Sequence, residues 1–208
     1  MFEELPSETV ALRTLIADLH DGLEERVGRL RLLMAMEYDF GAGRGLLLPG
    51  GTPAQFAYQE VRQAFVVGNF LSVVLLCQCV LENVLAAHLG LEALSAEIKG
   101  TEQRPLKERP QFSQTIAVGR AAGLLDEADE QDLLRLAGLR NALAHFRSVH
   151  DESHMDRRSI SERRSPDALF EEDARFAMLV FLRVLAKPQF RFAMDTLVDV
   201  MTPRDRSR

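Results

Sequence analysis

Leu139-Arg140-Asn141-Ala142-Leu143-Ala144-His145-Phe146-Arg147 places a fixed cation, a neutral amide and a titratable imidazole close together. On a helix at 100° per residue, Leu136, Leu139, Leu143 and Phe146 fall within about 80° of one another and form an apolar stripe. Asn141 and His145, four apart, stand one turn above the other on the opposite side. Arg140 falls at the margin of the stripe, about 140° from His145. An imidazole changes charge near neutral pH and can move a proton. A guanidinium can hold a phosphate and its developing negative charge. Cleavage of RNA by its own 2′-hydroxyl needs a proton removed at one oxygen and supplied at another. One histidine does not easily do both in one step. Two copies of this face across a two-fold axis supply both groups, so a homodimer is expected.

An unpaired buried guanidinium is very costly, so Arg140 needs an anion or a path to the surface. Between Arg62 and Glu92 the only full charge is Glu82. Glu82 is therefore expected to pair with Arg140, directly or through one polar group. Residues 139–164 carry six Arg against four acids, and Arg147 within them is a candidate RNA-phosphate contact. The formal charge of the whole chain is −6, which excludes a globally basic nucleic-acid binder.

Other chemistries find little support. No His-Glu-x-x-His spacing and no Cys/His quartet occur, and His145, His150 and His154 with Asp151 make a poor metal site because a polar loop does not pre-order ligands. No Gly-x-Ser-x-Gly elbow is present. Gly41-Ala42-Gly43-Arg44-Gly45 follows a helix rather than a strand, so it reads as a linker and not a phosphate-cradling loop. No metal or other cofactor is expected.

Arg140-Asn141-Ala142-Leu143-Ala144-His145 resembles the signature of the HEPN superfamily: Arg, four to six residues, then His, often with Asn after the Arg. The upstream context is similar, with an acidic residue on an apolar helix at Leu81-Glu82-Asn83-Val84-Leu85 and a Pro-containing connection before the motif. The resemblance covers about residues 55–185 and leaves residues 1–50 outside. It implies a helical bundle whose paired protomers place their motifs at the dimer interface. It also implies a metal-independent endoribonuclease acting on single-stranded RNA, in a toxin, phage-defence or RNA-processing system, with an antitoxin or defence partner. By this resemblance Arg140 and His145 are catalytic, Asn141 orients them and Glu82 is the supporting acid. Toxins of the family that pair with a nucleotidyltransferase antitoxin carry a Tyr two residues after the His. Arg147 stands there, so modification of such a Tyr is not implied. Some branches act as binding or assembly domains, which keeps a second reading open: a non-catalytic interaction, nucleotide-binding or RNA-binding module.

The elements that must position these residues are all helical. With 208 residues, 47% of them hydrophobic, the chain can bury a sizeable core without disulfide or metal. The first residues lack a signal-peptide pattern, and Cys77 and Cys79, about 200° apart on a helix, read as buried thiols in a reducing, cytoplasmic setting. One helix is expected over 7–38, capped by Ser7, with Leu12, Ile16, Leu19, Leu23, Val27, Leu30 and Met34 as a packing face or coiled-coil seam. A second runs from Pro53 to about Leu89 and is buried on all sides; its uncharged stretch 64–81 sits at the lower limit for a membrane span, but Asn69, Ser72, Gln78 and Glu82 argue against one. Further helices are expected over 113–122, from Asp126 to about Phe146 or Arg147, over 167–186 and over 189–201. Polar connections at 100–111 and 148–166 separate them. The fold class is all-α, a bundle of the HEPN type with an extra long N-terminal helix. Residues 1–50 form that helix and its Gly-rich linker, 51–202 the bundle, and 203–208 a polar tail.

Overall fold

The computed structural model describes residues 7–39, 48–98, 110–148 and 150–190. These form eight α-helices and one short 3-10 turn, with no strand among them. The fold is all-α. The linker at 41–45, most of the connection at 100–111, the helix expected beyond Phe190 and the tail at 203–208 lie outside the described residues.

Two long helices of the sequence reading are each divided by a glycine. Ser7 caps α1 (Glu8–His20), its hydroxyl accepting the Val10 N–H at 3.4 Å, which satisfies a donor that helix geometry leaves unpaired. Gly22 then takes a φ of +68°, so the chain turns and α2 (Leu23–Asp39) starts anew. Arg26 spans the corner, donating from Nη2 to the Asp18 carbonyl at 3.1 Å. The second break separates α3 (Gly51–Val67) from α4 (Phe70–Ile98) at Gly68, φ +87°. The Gly68 N–H returns to the Ala64 and Phe65 carbonyls, and Arg29 Nε donates to the Val66 carbonyl at 3.0 Å. A side chain at Gly68 would start 3.1 Å from Arg29 Nη2. In contrast, α4 runs straight through Gly90, where a stop was expected. An interior glycine costs only about 1 kcal/mol against Ala.

The centre of the bundle is α4. Val73, Val74, Cys77, Val80, Leu81, Val84 and Leu85 are all essentially buried. They pack into a cluster with Val61 and Phe65 of α3, Leu133 and Leu136 of α6 (Glu127–Ala144), and Ala174, Ala177, Met178 and Phe181 of α8 (Pro166–Leu185). By length and composition α4 could cross a membrane; in this fold it is the core helix. It is not buried on all sides, however, for Leu71, Cys79, Asn83 and Leu91 are exposed. The same geometry corrects the cysteines: Cys77 is buried and Cys79, on the other side of α4, is exposed. Cys77 Sγ lies 3.8 Å from Met178 Sδ on α8.

Polar clamps fix the outer helices. On α2, Leu33 and Met36 reach the core, and Glu37 accepts from Arg62 Nε at 2.6 Å, Arg62 Nη2 at 3.1 Å and Tyr58 Oη at 3.2 Å. Leu12, Ile16, Leu19, Leu23, Val27, Leu30 and Met34 stay outside the core and remain 40–58% exposed. The short α5 (Phe112–Ala121) buries Phe112 and Ile116. The segment 148–166, expected as a loop, contains α7 (Met155–Glu162). Its apolar content is too low to mark it, and Ile160 is 79% exposed. Ion pairs to α8 hold it instead.

Candidate functional site

The site is carried by α6, and its N-terminal end is locked first. Asp126 and Asp129 form a capping box, Asp126 accepting the Asp129 N–H at 2.9 Å and Asp129 returning to the Asp126 N–H at 3.0 Å. The Asp129 carboxylate is 1% exposed and would be costly if unpaired. Arg183 Nε at 3.3 Å and Lys187 meet it, while Arg183 Nη2 reaches Asp132 at 2.9 Å. Partial burial works against the Lys187 charge, but hydrogen bonds and attraction from Asp129 and Asp126 outweigh it and raise its pKa. Further along, Arg135 stacks over the Phe176 ring at 4.0 Å. One face of α6 is thus fixed against α8, and its opposite end carries the motif.

The stripe holds for three of its four residues. Leu136 is buried, and Leu139 and Leu143 pack against the core. Phe146 is 97% exposed. The reason is the helix end: α6 stops at Ala144, and His145 takes an extended backbone, φ −124°, ψ 144°. Once the 100° rotation ends, the wheel no longer places Phe146. The same stop leaves His145 exposed, with its ring direction set by extended rather than helical backbone.

Arg140 and Asn141 are half-buried and joined, Arg140 Nη1 donating to Asn141 Oδ1 at 3.2 Å. The direct Glu82–Arg140 pair is not formed: among the described residues no ion pair within 4.0 Å joins them. Glu82 is half-buried rather than enclosed, so solvent removes its need for a counter-charge, and Arg140 already has a neighbouring amide acceptor.

After His145 the chain folds into a tied turn. Arg147 Nη1 lies 3.5 Å from Asp151 Oδ2, and Arg147 Nε is buried without a hydrogen-bond acceptor among the described residues. Asp151 Oδ1 accepts from Ser153 Oγ at 2.7 Å and Ser153 N at 2.9 Å. Those bonds, with the nearby Arg147 charge, hold the Asp151 carboxyl below its ordinary range. His154 caps α7, Nδ1 accepting the Asp156 N–H at 3.3 Å. That use of Nδ1 opposes a metal role, and no group of three His, Cys, Asp or Glu gathers among the described residues. His150 is exposed.

The sequence reading missed what anchors this segment. Arg158 on α7 grips the buried Asp173 of α8 with Nη1 and Nη2 at 2.7 and 3.2 Å. Arg164 just after α7 bonds Glu172, which lowers the Glu172 pKa. A usable hint was Asp173 itself, an acid at a core position of an otherwise apolar helix face. No protein-family model, curated protein or solved structure matches the chain.

Proposed function

We propose that the chain is a metal-independent endoribonuclease of the HEPN type that works as a homodimer on single-stranded RNA. The observation that carries this reading is the grouping of Arg140, Asn141 and His145 at the C-terminal end of α6. The guanidinium and amide are coupled at 3.2 Å, and the imidazole is exposed just past the helix end. One His145 takes the proton of the 2′-hydroxyl, whose oxygen attacks phosphorus. The bond to the 5′ oxygen breaks, and the partner's His145 protonates that leaving oxygen. Arg140, oriented by Asn141, stabilises the charge gathering on the non-bridging phosphate oxygens. Arg147 contacts an adjacent phosphate. The products are a 2′,3′-cyclic phosphate and a 5′-hydroxyl. Glu82, the supporting acid of the resemblance, makes no direct bond to Arg140 and is assigned no proton-transfer step.

A second reading, a non-catalytic interaction module, draws on two observations. The chain carries −6 overall, which weakens non-specific RNA binding, and Phe146 stands almost fully exposed beside the motif, as in a protein-docking surface. An antitoxin or defence partner is the kind of protein such a surface would take. The test is cleavage of single-stranded RNA by the purified full chain in EDTA, with end-group analysis. Cyclic phosphate ends that vanish in His145→Ala support the enzyme. Intact RNA across varied sequences supports the module.

A further inference from the structure

The face of the molecule left without a purpose is α1. It buries none of its residues, yet Leu12, Leu15, Ile16 and Leu19 lie within about 100° of arc along it. With Val10 and the exposed Leu23, Val27, Leu30 and Met34, nine large apolar side chains, each 40–58% exposed, belong to this helix and α2. Leu12, Leu15, Ile16 and Leu19 share one side of α1, with Val10 about 170° away from its middle, and Leu23, Val27, Leu30 and Met34 share one side of α2, so each of the two helices exposes an apolar stripe of four residues.

We propose that α1 is a dimerisation helix that pairs in parallel with α1 of a second copy of this chain. Within this arc Leu12, Ile16 and Leu19 keep heptad spacing, with Leu15 flanking them. Thr9 and Ile16 take the a positions and Leu12 and Leu19 the d positions, and Ile16 with its flanking leucines makes the β-branched-at-a, Leu-at-d choice that favours two strands. Charge selects the direction. In a parallel pair the g residue of one helix meets the e residue of the next heptad on the other. These are Glu8 and the partner's Arg13, opposite charges that make no ion pair within their own chain among the described residues. An antiparallel pair would instead bring e residues together, Arg13 against Arg13 or His20. A lipid surface fits less well, because α1 carries Glu8 and Asp18 against Arg13 and so lacks a basic polar face. Thirteen residues are too few for a stable isolated coiled coil, so the pairing is read on the full chain.

This contact lies on α1 rather than at His145, so the α1 variants test it separately from the dimer of the ribonuclease reading, without RNA. Leu12→Cys and Leu19→Cys are made separately in full-length Cys79→Ser protein and oxidised mildly. Each variant alone is expected to give a disulfide-linked dimer. Cross-linking only when the two variants are mixed means antiparallel pairing and overturns the proposal, as does no cross-linking at all. By sedimentation equilibrium, Ile16→Asp is expected to raise the dimer dissociation constant at least tenfold, while the thermal unfolding of the bundle stays unchanged. An unchanged constant overturns the proposal. So does a monomeric wild-type chain that floats with vesicles of phosphatidylcholine and phosphatidylglycerol.

Discussion

Arg158 holds Asp173 through both guanidinium nitrogens, at 2.7 and 3.2 Å, and the Asp173 carboxylate is 2% exposed. The pair joins a helix with no buried residue to the main core helix layer. Removing Arg158 strands a buried charge. Arg158→Met is therefore expected to destabilise the protein by about 3 kcal/mol in urea unfolding, since breaking one side of a buried pair costs about 3–5 kcal/mol and this one is partly open to solvent. Proteolysis should move to residues 155–164. A loss under 0.5 kcal/mol would show that α7 does not depend on this contact.

His145→Ala and Arg140→Ala separate chemistry from folding. His145 is exposed, so its loss should leave the melting temperature within about 2 °C of wild type, as for surface substitutions generally. RNA cleavage in EDTA should fall by about 100-fold or more, the contribution of a positioned proton-transfer group. Arg140→Lys keeps the charge but loses the planar fork, and should recover only part of the activity.

Phe146 and Leu136 are both on the apolar stripe of the sequence but differ in the fold. Leu136 is fully buried, and Leu136→Ala is expected to cost about 2–5 kcal/mol through transfer and cavity terms. Phe146→Ser is expected to change stability by about 0.5 kcal/mol or less. Equal costs would mean that Phe146 is covered in solution, and denaturant melts of the two variants decide it.

Acid should release α7 before the bundle. Glu172 is held below its ordinary pKa by Arg164, and Asp151 by Ser153 and then Arg147. A carboxyl depressed in the folded state stabilises it above the unfolded values, near 4.5 and 3.8, and that contribution fades as pH falls through the lower folded values. Hydrogen exchange, corrected for intrinsic pH effects, should be unchanged from pH 7 to 5. Protection across residues 150–164 should drop below about pH 4, with α4 and α8 still protected. Simultaneous loss everywhere would contradict this order.

Helix type and the all-α class were legible because the apolar residues recur every three or four positions over long stretches. Helix ends were not. Gly22 and Gly68 end helices through positive φ beside the turn-forming residues Asp21 and Asn69, whereas Gly90 sits between Leu89 and Leu91 and does not; Arg29 closing on the Val66 carbonyl adds to the Gly68 break. The segment 148–166 hid a helix because α7 is stabilised by Arg158 and Arg164 rather than by an apolar face. At the site, periodicity placed Leu136, Leu139 and Leu143 but not Phe146, since a wheel assumes a helix that Ala144 ends. The Glu82–Arg140 pair was inferred from burial of both charges, and half-exposure of Glu82 removes that premise.

The two sulfhydryls of α4 sit in opposite environments. Burial pushes the Cys77 thiol well up, and it lies against Met178 at the seam with α8; Cys79, two residues on, faces solvent. Only a thiolate reacts quickly with alkylating agents, so the wild-type chain should be labelled once at neutral pH without any engineering. A second label then appears only when α4 and α8 part. The molecule carries its own clock for the opening of its central seam.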